Sequence, residues 1–234
     1  MRQGRRPDQL REVRIIRRYT EMTAGSVLME MGRTRVLCTA SVAAEVPPWL
    51  RGRGGGWVTA EYAMLPGSSR ERISRGAISG GRTKEIQRLI GRALRAVVDL
   101  EAMGENTVRV DCDVIQADGG TRTAAVTGGW IALHDVFQWA VQRELLAASP
   151  LRDHCAAVSV GAVGDEILLD LPYEEDVAVD VDLNVVMTGS GGLIEVQGTA
   201  ERQSFSRLQL DAMLDLAAKG IDELVQHQKR ALAS

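Results

Sequence analysis

Three helix-patterned stretches set among runs of strand alternation limit the fold of this chain more than any other feature. Over residues 83–101, Ile86, Leu89, Ile90, Ala93, Leu94, Val97 and Val98 recur at three- and four-residue spacing and form one apolar stripe. A second helix is expected over 123–143, apolar on several sides as suits a central position, and a third runs from a Ser206 cap to about 229. Around them, residues 13–19, 26–31, 35–42, 56–65, 106–116, 155–163, 166–171, 177–187 and 193–201 read as strands, with Gly32 and Arg33 as a hairpin turn. In 106–116, Val108, Val110, Cys112 and Val114 share one side. The order strands, helix, strand, helix, strands, helix predicts an α+β fold of two similar halves, with mixed β-sheets packed with α-helices. No linker divides it, so 1–234 is expected to be a single domain. Residues 67–81 carry Gly, Ser and Arg without an apolar period and read as a mobile loop.

Composition narrows the setting. Hydrophobic residues make up 45% of 234 positions, ample for a core, but aromatics are only 4%, so Val, Leu, Ile and Ala must build it. No apolar run is long enough to span a bilayer, and the basic N-terminal segment lacks the apolar stretch of a signal peptide. The three cysteines, Cys38, Cys112 and Cys155, lie far apart in strand-like runs with no CxxC pair. They read as buried free thiols of a cytoplasmic protein rather than zinc ligands or a disulfide frame. His134, His154 and His227 show no spacing to one another or to Cys and receive no role.

Charge is distributed unevenly. Residues 1–95 hold 19 Lys+Arg, 18 of them Arg, against 8 Asp+Glu; residues 96–234 hold 9 against 23. A net charge of −3 therefore conceals a half at +11 and a half at −14. Arginine grips phosphate with a planar fork of donors, so an anionic partner is one reading. Charge pairing between the halves is the other, and composition leaves both open.

Three segments could carry chemistry. In 111–123, a strand runs into Gly119 and Gly120, and Thr121, Arg122 and Thr123 open a helix, which offers free backbone amides, a hydroxyl and a guanidinium to a phosphate. In 79–100, another Gly pair precedes Arg82 and Thr83 at a helix start, so Arg82 and Arg122 could hold one phosphate from two sides. Each motif alone also fits an ordinary turn, and Arg88, Arg92 and Arg95 fit a solvated helix face. In 170–182, six acidic side chains fall within thirteen positions, and on a strand through 177–186 Asp180 and Asp182 would share a face. Carboxylates crowded on one strand face need water, arginine or a cation, and oxygen ligands suit Mg²⁺ or Mn²⁺. An exposed sheet face is the plainer alternative. Together the segments suit attack on a phosphodiester by inorganic phosphate or water.

The segments GRRPDQLREV, GSVLMEMGRTRVLCTASV, GWVTAEYAMLP, GGRTKEIQRLIGRALRAVVDL, DCDVIQADGGTRTAAVTGG and DLNVVMTGSGGLIEVQGTAE resemble the successive blocks of bacterial ribonuclease PH, in order and over nearly the whole chain. The resemblance implies a phosphorolytic 3′-to-5′ exoribonuclease of the nucleotidyltransferase class. In that reaction inorganic phosphate is the co-substrate and nucleoside 5′-diphosphates leave reversibly from the tails of transfer-RNA precursors and other structured RNA ends. It implies a Mg²⁺ requirement, with Mn²⁺ as the other fit, and a homohexamer built as a trimer of dimers. RNA rather than DNA is the implied partner. Matched residue by residue, the phosphate site falls on Arg82, Gly120, Thr121 and Arg122. The metal-associated, acid-acting carboxylates fall on Asp176 and Asp182, with Asp180 between them as a third metal candidate.

One region departs from the family pattern. The loop after AEYAMLP usually starts with an arginine and carries several more to hold the transfer-RNA stem; here Gly67 takes that first place and the loop is shorter. Arg70, Arg72 and Arg75 remain as the RNA-binding candidates, and fewer phosphate contacts imply weaker, less salt-sensitive RNA binding. The alternatives are an exosome-like ring subunit that needs a second chain, or a non-catalytic RNA-binding module.

Overall fold

Alternating burial builds the first sheet. β1 (Val13–Arg17), β2 (Gly25–Met31), β3 (Thr34–Ala43), β4 (Trp57–Met64) and β5 (Thr107–Gln116) pair in the order β1-β2-β3-β5-β4. In β5 the apolar set Val108, Val110, Cys112 and Val114 is buried while Arg109 between them is exposed, as its period of two requires. All neighbours are antiparallel except β4 and β5, whose parallel pairing is permitted by the crossover helix α1 (Gly81–Arg95). The computed structural model describes residues 2, 4–76, 80–164, 166–202 and 204–233. Residues 77–79 of the expected loop lie outside the described residues.

A second sheet, antiparallel throughout, has the order β7-β6-β8-β9, from β6 (Cys155–Val163), β7 (Glu166–Leu169), β8 (Val181–Thr188) and β9 (Leu193–Ala200). Only the first sheet is mixed. Between the sheets lies α2 (Thr121–Gln142), which packs on β2 and β3 of the first and β6 of the second, so nearly every side of it is buried. That accounts for its lack of an amphipathic stripe. The last helix, α4 (Arg207–Ala233), packs on β6 and β1. Its start is a capping box: Gln209 N–H donates to Ser206 Oγ at 3.1 Å and Ser206 N–H to Gln209 Oε1 at 2.9 Å. One continuous buried cluster draws residues from both sheets and from α1, α2 and α4.

Two sequence expectations move. The helix expected over 83–101 begins earlier and ends at Arg95, where Val97 N–H and Val98 N–H tighten onto Leu94 and Arg95 carbonyls. Val98 then bridges to Leu151. Both valines remain buried, so the apolar stripe outlasts the helix that began it. The strand expected over 177–187 begins only at Val181, because residues 173–179 coil through the one-turn α3 (Tyr173–Asp176) and the bonds of Ala178 and Val179 to Glu175.

The charge asymmetry is met in part by pairing. Arg2 meets Glu175 at 3.0 Å, Arg11 meets Asp170 at 2.7 Å, Arg17 meets Asp135 at 2.7 Å and Arg92 meets Glu195 at 2.6 Å. Basic residues of the first half thus fasten the acidic second half. The three cysteines are free and buried.

Candidate active site

The site begins at the turn between β5 and α2. Gly119 (φ +73°) and Gly120 (φ +65°) take two successive left-handed conformations, which only glycine adopts readily. The carbonyls of this turn are tied down from behind. Arg11 Nη1 donates to Asp118 O at 2.6 Å, and Thr34 Oγ1 donates to Gly119 O at 2.7 Å. Arg33 grips the Asp118 carboxylate with two bonds of 3.0 Å each. The N-cap of α2 is Gly120, which has no side chain to bond the first amides, and such a helix end suits an anion.

Arg11 reaches further. Its guanidinium holds Asp170 by Nε at 3.0 Å and Nη2 at 2.7 Å, and its backbone N–H donates to the same carboxylate at 2.8 Å. Burial alone would raise the Asp170 carboxyl, but the charge and hydrogen bonds of Arg11, with Arg5 beyond, bring it below the ordinary range. Since Asp170 leads directly into α3, this pair fixes the phosphate-type turn of one half against the carboxylate segment of the other.

Around that junction the structure gathers most of the residues expected from sequence. Tyr62, on β4 and 3% exposed, shares a 2.8 Å hydrogen bond with Thr121 Oγ1. Burial raises its phenol, while Thr121, Arg82 and Arg122 pull the other way, so both arginines lie within electrostatic reach of one hydroxyl. Burial likewise raises Asp176, opposed by Arg82 and Arg122. Asp182 is pushed up to about 6 by burial and by the neighbouring Asp176, opposed by Arg122 and by the amide of Asn184 at 3.2 Å. Gly120, Thr121, Arg82, Arg122, Asp176 and Asp182 therefore form one neighbourhood.

Asp180 does not join it. It precedes β8 rather than lying on it, so the period of two that would have aligned it with Asp182 does not reach it. Its carboxylate accepts Gly164 N–H at 3.0 Å and pairs with Arg202 at 3.6 Å. Of the loop arginines, Arg70 pairs with Glu174 of α3 at 2.9 Å, and Arg72 and Arg75 are exposed.

The donor set fits a hard cation of modest demands. Among the described residues no group of three His, Cys, Asp or Glu side chains is arranged to hold a metal ion. Mg²⁺, however, commonly keeps several waters and takes one or two carboxylates plus substrate phosphates. Among the described residues Asp182 Oδ1 is buried without a hydrogen-bond partner, with Asp176 beside it, and such an oxygen is one a cation would satisfy.

Sequence reasoning gave no role to Arg11, Tyr62 or Asp170. Each acts through a partner distant in the chain, such as Arg11 with Asp170 at a separation of 159 positions. A buried tyrosine in the middle of a strand was the one local signal, since a buried hydroxyl needs a partner.

Residues 9–137 match domain 1 of the 3′ exoribonuclease family, RNase PH, and residues 153–220 match domain 2 of the same family. Among solved structures, a chain of the Archaeoglobus fulgidus exosome with RNA bound to the active site superposes with a TM-score of 0.83 at 22% identity, covering 96% of this chain and 91% of that one. A chain of an archaeal exosome core gives 0.78 at 22% identity, covering 97% and 90%. Rice (Oryza sativa) Rrp46 gives 0.73 at 20% identity, covering 97% of each. At these identities the superpositions speak for the fold.

Proposed function

The chain belongs to the 3′ exoribonuclease (RNase PH) family, and we propose that within it the protein is a phosphorolytic enzyme that shortens RNA from the 3′ end. The observation that carries this reading is the meeting of two arginines at Gly-preceded helix starts, Arg82 and Arg122, with the paired carboxylates Asp176 and Asp182 at one junction. Arginines from two helix starts suit a dianionic nucleophile such as hydrogen phosphate, and water as nucleophile would need no such cradle.

In the proposed reaction Arg82, Arg122, the Thr121 hydroxyl and the uncapped amides after Gly120 hold inorganic phosphate. A phosphate oxygen attacks the phosphorus of the 3′-terminal linkage, the bond from that phosphorus to the 3′-oxygen of the preceding nucleotide breaks, and a nucleoside 5′-diphosphate leaves. One carboxyl of the pair Asp176 and Asp182, both raised by burial, supplies the proton to the departing 3′-oxygen while the other stays ionised. Asp176 and Asp182 are the residues that would hold Mg²⁺, which when bound would offset charge on the phosphodiester. The product retains the bond energy of a phosphoanhydride, so the reaction runs in reverse when phosphate is scarce.

Transfer-RNA precursors and other structured RNA ends are the proposed substrates, with Arg72 and Arg75 outside the site to meet them. A homohexamer in the cytoplasm, each chain a single unit over 1–234, completes the reading. No helix among the described residues is long and apolar enough to cross a membrane.

A second reading is favoured by the exosome chains among the similar structures: a ring subunit that needs a different chain for activity. One experiment separates the two. The purified chain is given a 3′-tailed RNA with and without phosphate, its mass in solution measured alongside. Phosphate-dependent release of diphosphates supports the enzyme. Release of monophosphates without phosphate overturns phosphorolysis, and no release favours the ring subunit or an RNA-binding module.

A further inference from the structure

Gln197, on β9, is the hub of a small polar network beside the phosphate site. Its Oε1 accepts a hydrogen bond from Arg122 Nη1 at 3.0 Å. Its Nε2 donates to Glu85 Oε1 and to Glu195 Oε1, each at 3.0 Å. A primary amide has one carbonyl and two N–H donors near this plane, and here the acceptor faces the cation while the donors face two anions. Turned the other way, it would set N–H against guanidinium and oxygen against carboxylates, so one orientation alone is workable.

The surrounding charges explain why the hub is neutral. Glu195 is already held by Arg92 through bonds of 2.6 to 3.1 Å. Glu85 lies 3.5 Å from Arg122, at the edge of hydrogen-bonding range, and its closer partner is the Gln197 amide. Across the strands Gln197 faces Asn184, whose own amide holds Asp182. Glu85 thus touches the arginine only at 3.5 Å, while one neutral amide, Gln197, takes its closer bond and a second, Asn184, holds Asp182. A guanidinium engaged by a carboxylate must leave that partner, or share its charge, before it serves an incoming anion. One steered by a carbonyl oxygen keeps its full charge.

We infer that Gln197 is a positioning residue for the phosphate site: its amide oxygen aims Arg122 at phosphate, and its amide hydrogens keep Glu85 from closing onto that arginine. The inference rests on the phosphate-site reading above.

The test uses the full chain and three variants: Gln197→Met, Gln197→Glu and the double Gln197→Met/Glu85→Gln. Inorganic phosphate binding is measured by calorimetry, and kcat and the KM for phosphate and for RNA by diphosphate release. Gln197→Glu, which adds a carboxylate against Arg122, should raise the phosphate KM by about tenfold or more. Gln197→Met should raise it less, with kcat at saturating phosphate and the RNA KM little changed. In the double variant a neutral residue at position 85 should restore most of the phosphate affinity. A merely structural role would lower melting temperature, kcat and RNA affinity alike and would show no rescue, and that result overturns the inference. If the unaltered chain binds phosphate and Gln197→Glu binds it equally well, the role of Gln197 alone falls. Should the unaltered chain bind no phosphate, the phosphate site itself falls, and this role with it.

Discussion

Gly119 and Leu171 meet backbone to backbone: a Cβ built on Gly119 would stand 2.4 Å from the Leu171 carbonyl oxygen. The contact joins the turn that opens α2 to the segment that leads into Asp176. The approach exists because position 119 has no side chain.

Gly119→Ala should therefore cost both stability and activity. The left-handed backbone and the crowding against Leu171 together should destabilise the fold by about 2–5 kcal/mol. Urea unfolding with an unchanged m-value would register it, and turnover in the folded fraction should fall because the two sides of the site are pushed apart. Full turnover in that fraction would count against the junction as the active site.

Arg122→Ala and Arg82→Ala should each raise the phosphate KM by about tenfold to a hundredfold, the size of a lost charge-assisted hydrogen bond. Mass in solution and RNA binding should stay the same. If neither change alters phosphate dependence, phosphate is held elsewhere.

Asp182→Asn should abolish turnover while RNA still binds, and in metal-free buffer it should also stabilise the protein at neutral pH. The sign follows from the raised carboxyl. A group whose folded-state value, about 6, exceeds its unfolded value binds a proton more tightly when folded. Its burial penalty is absent below pH 4, grows between pH 4 and 6, and is fully present above. The unaltered protein should lose up to about 3 kcal/mol of stability across that window, and Asp182→Asn should flatten the slope there. Thermal unfolding in EDTA at several pH values measures both.

The double change Arg72→Ala/Arg75→Ala should weaken binding of a structured RNA and make its dependence on salt shallower by about 1.5 in logarithmic slope. Phosphorolysis of a short unstructured tail should be unaffected, since neither arginine adjoins Asp182 or Arg122. Arg70, already paired with Glu174, should contribute less than either.

The elements were legible wherever a single periodicity ran unbroken. β5 falls where alternation put it, β6 where a short apolar run did, and α2 is the buried central helix that its all-round apolarity suggested. The pattern misled where burial outlived the element, as at Val97 and Val98 beyond α1, and where the chain coiled before a strand, as at 177–180. That second case is why Asp180 was grouped with Asp182 and why the structure parts them. At the site, Arg82, Thr121, Arg122, Asp176 and Asp182 carry local signals: a glycine pair, a helix start, a run of acids. Arg11 and Gln197 carry none, because their importance lies in what faces them across the fold.

The grip of Arg11 on Asp170 and on the Asp118 carbonyl also bears on how the protein fails when heated. Both the arginine and its carboxylate are buried, and removing either partner from such a pair costs about 3–5 kcal/mol. The turn it holds should therefore loosen only together with the rest of the fold. Catalytic capacity and tertiary structure should disappear at one temperature, without an earlier range in which an intact scaffold carries a melted site.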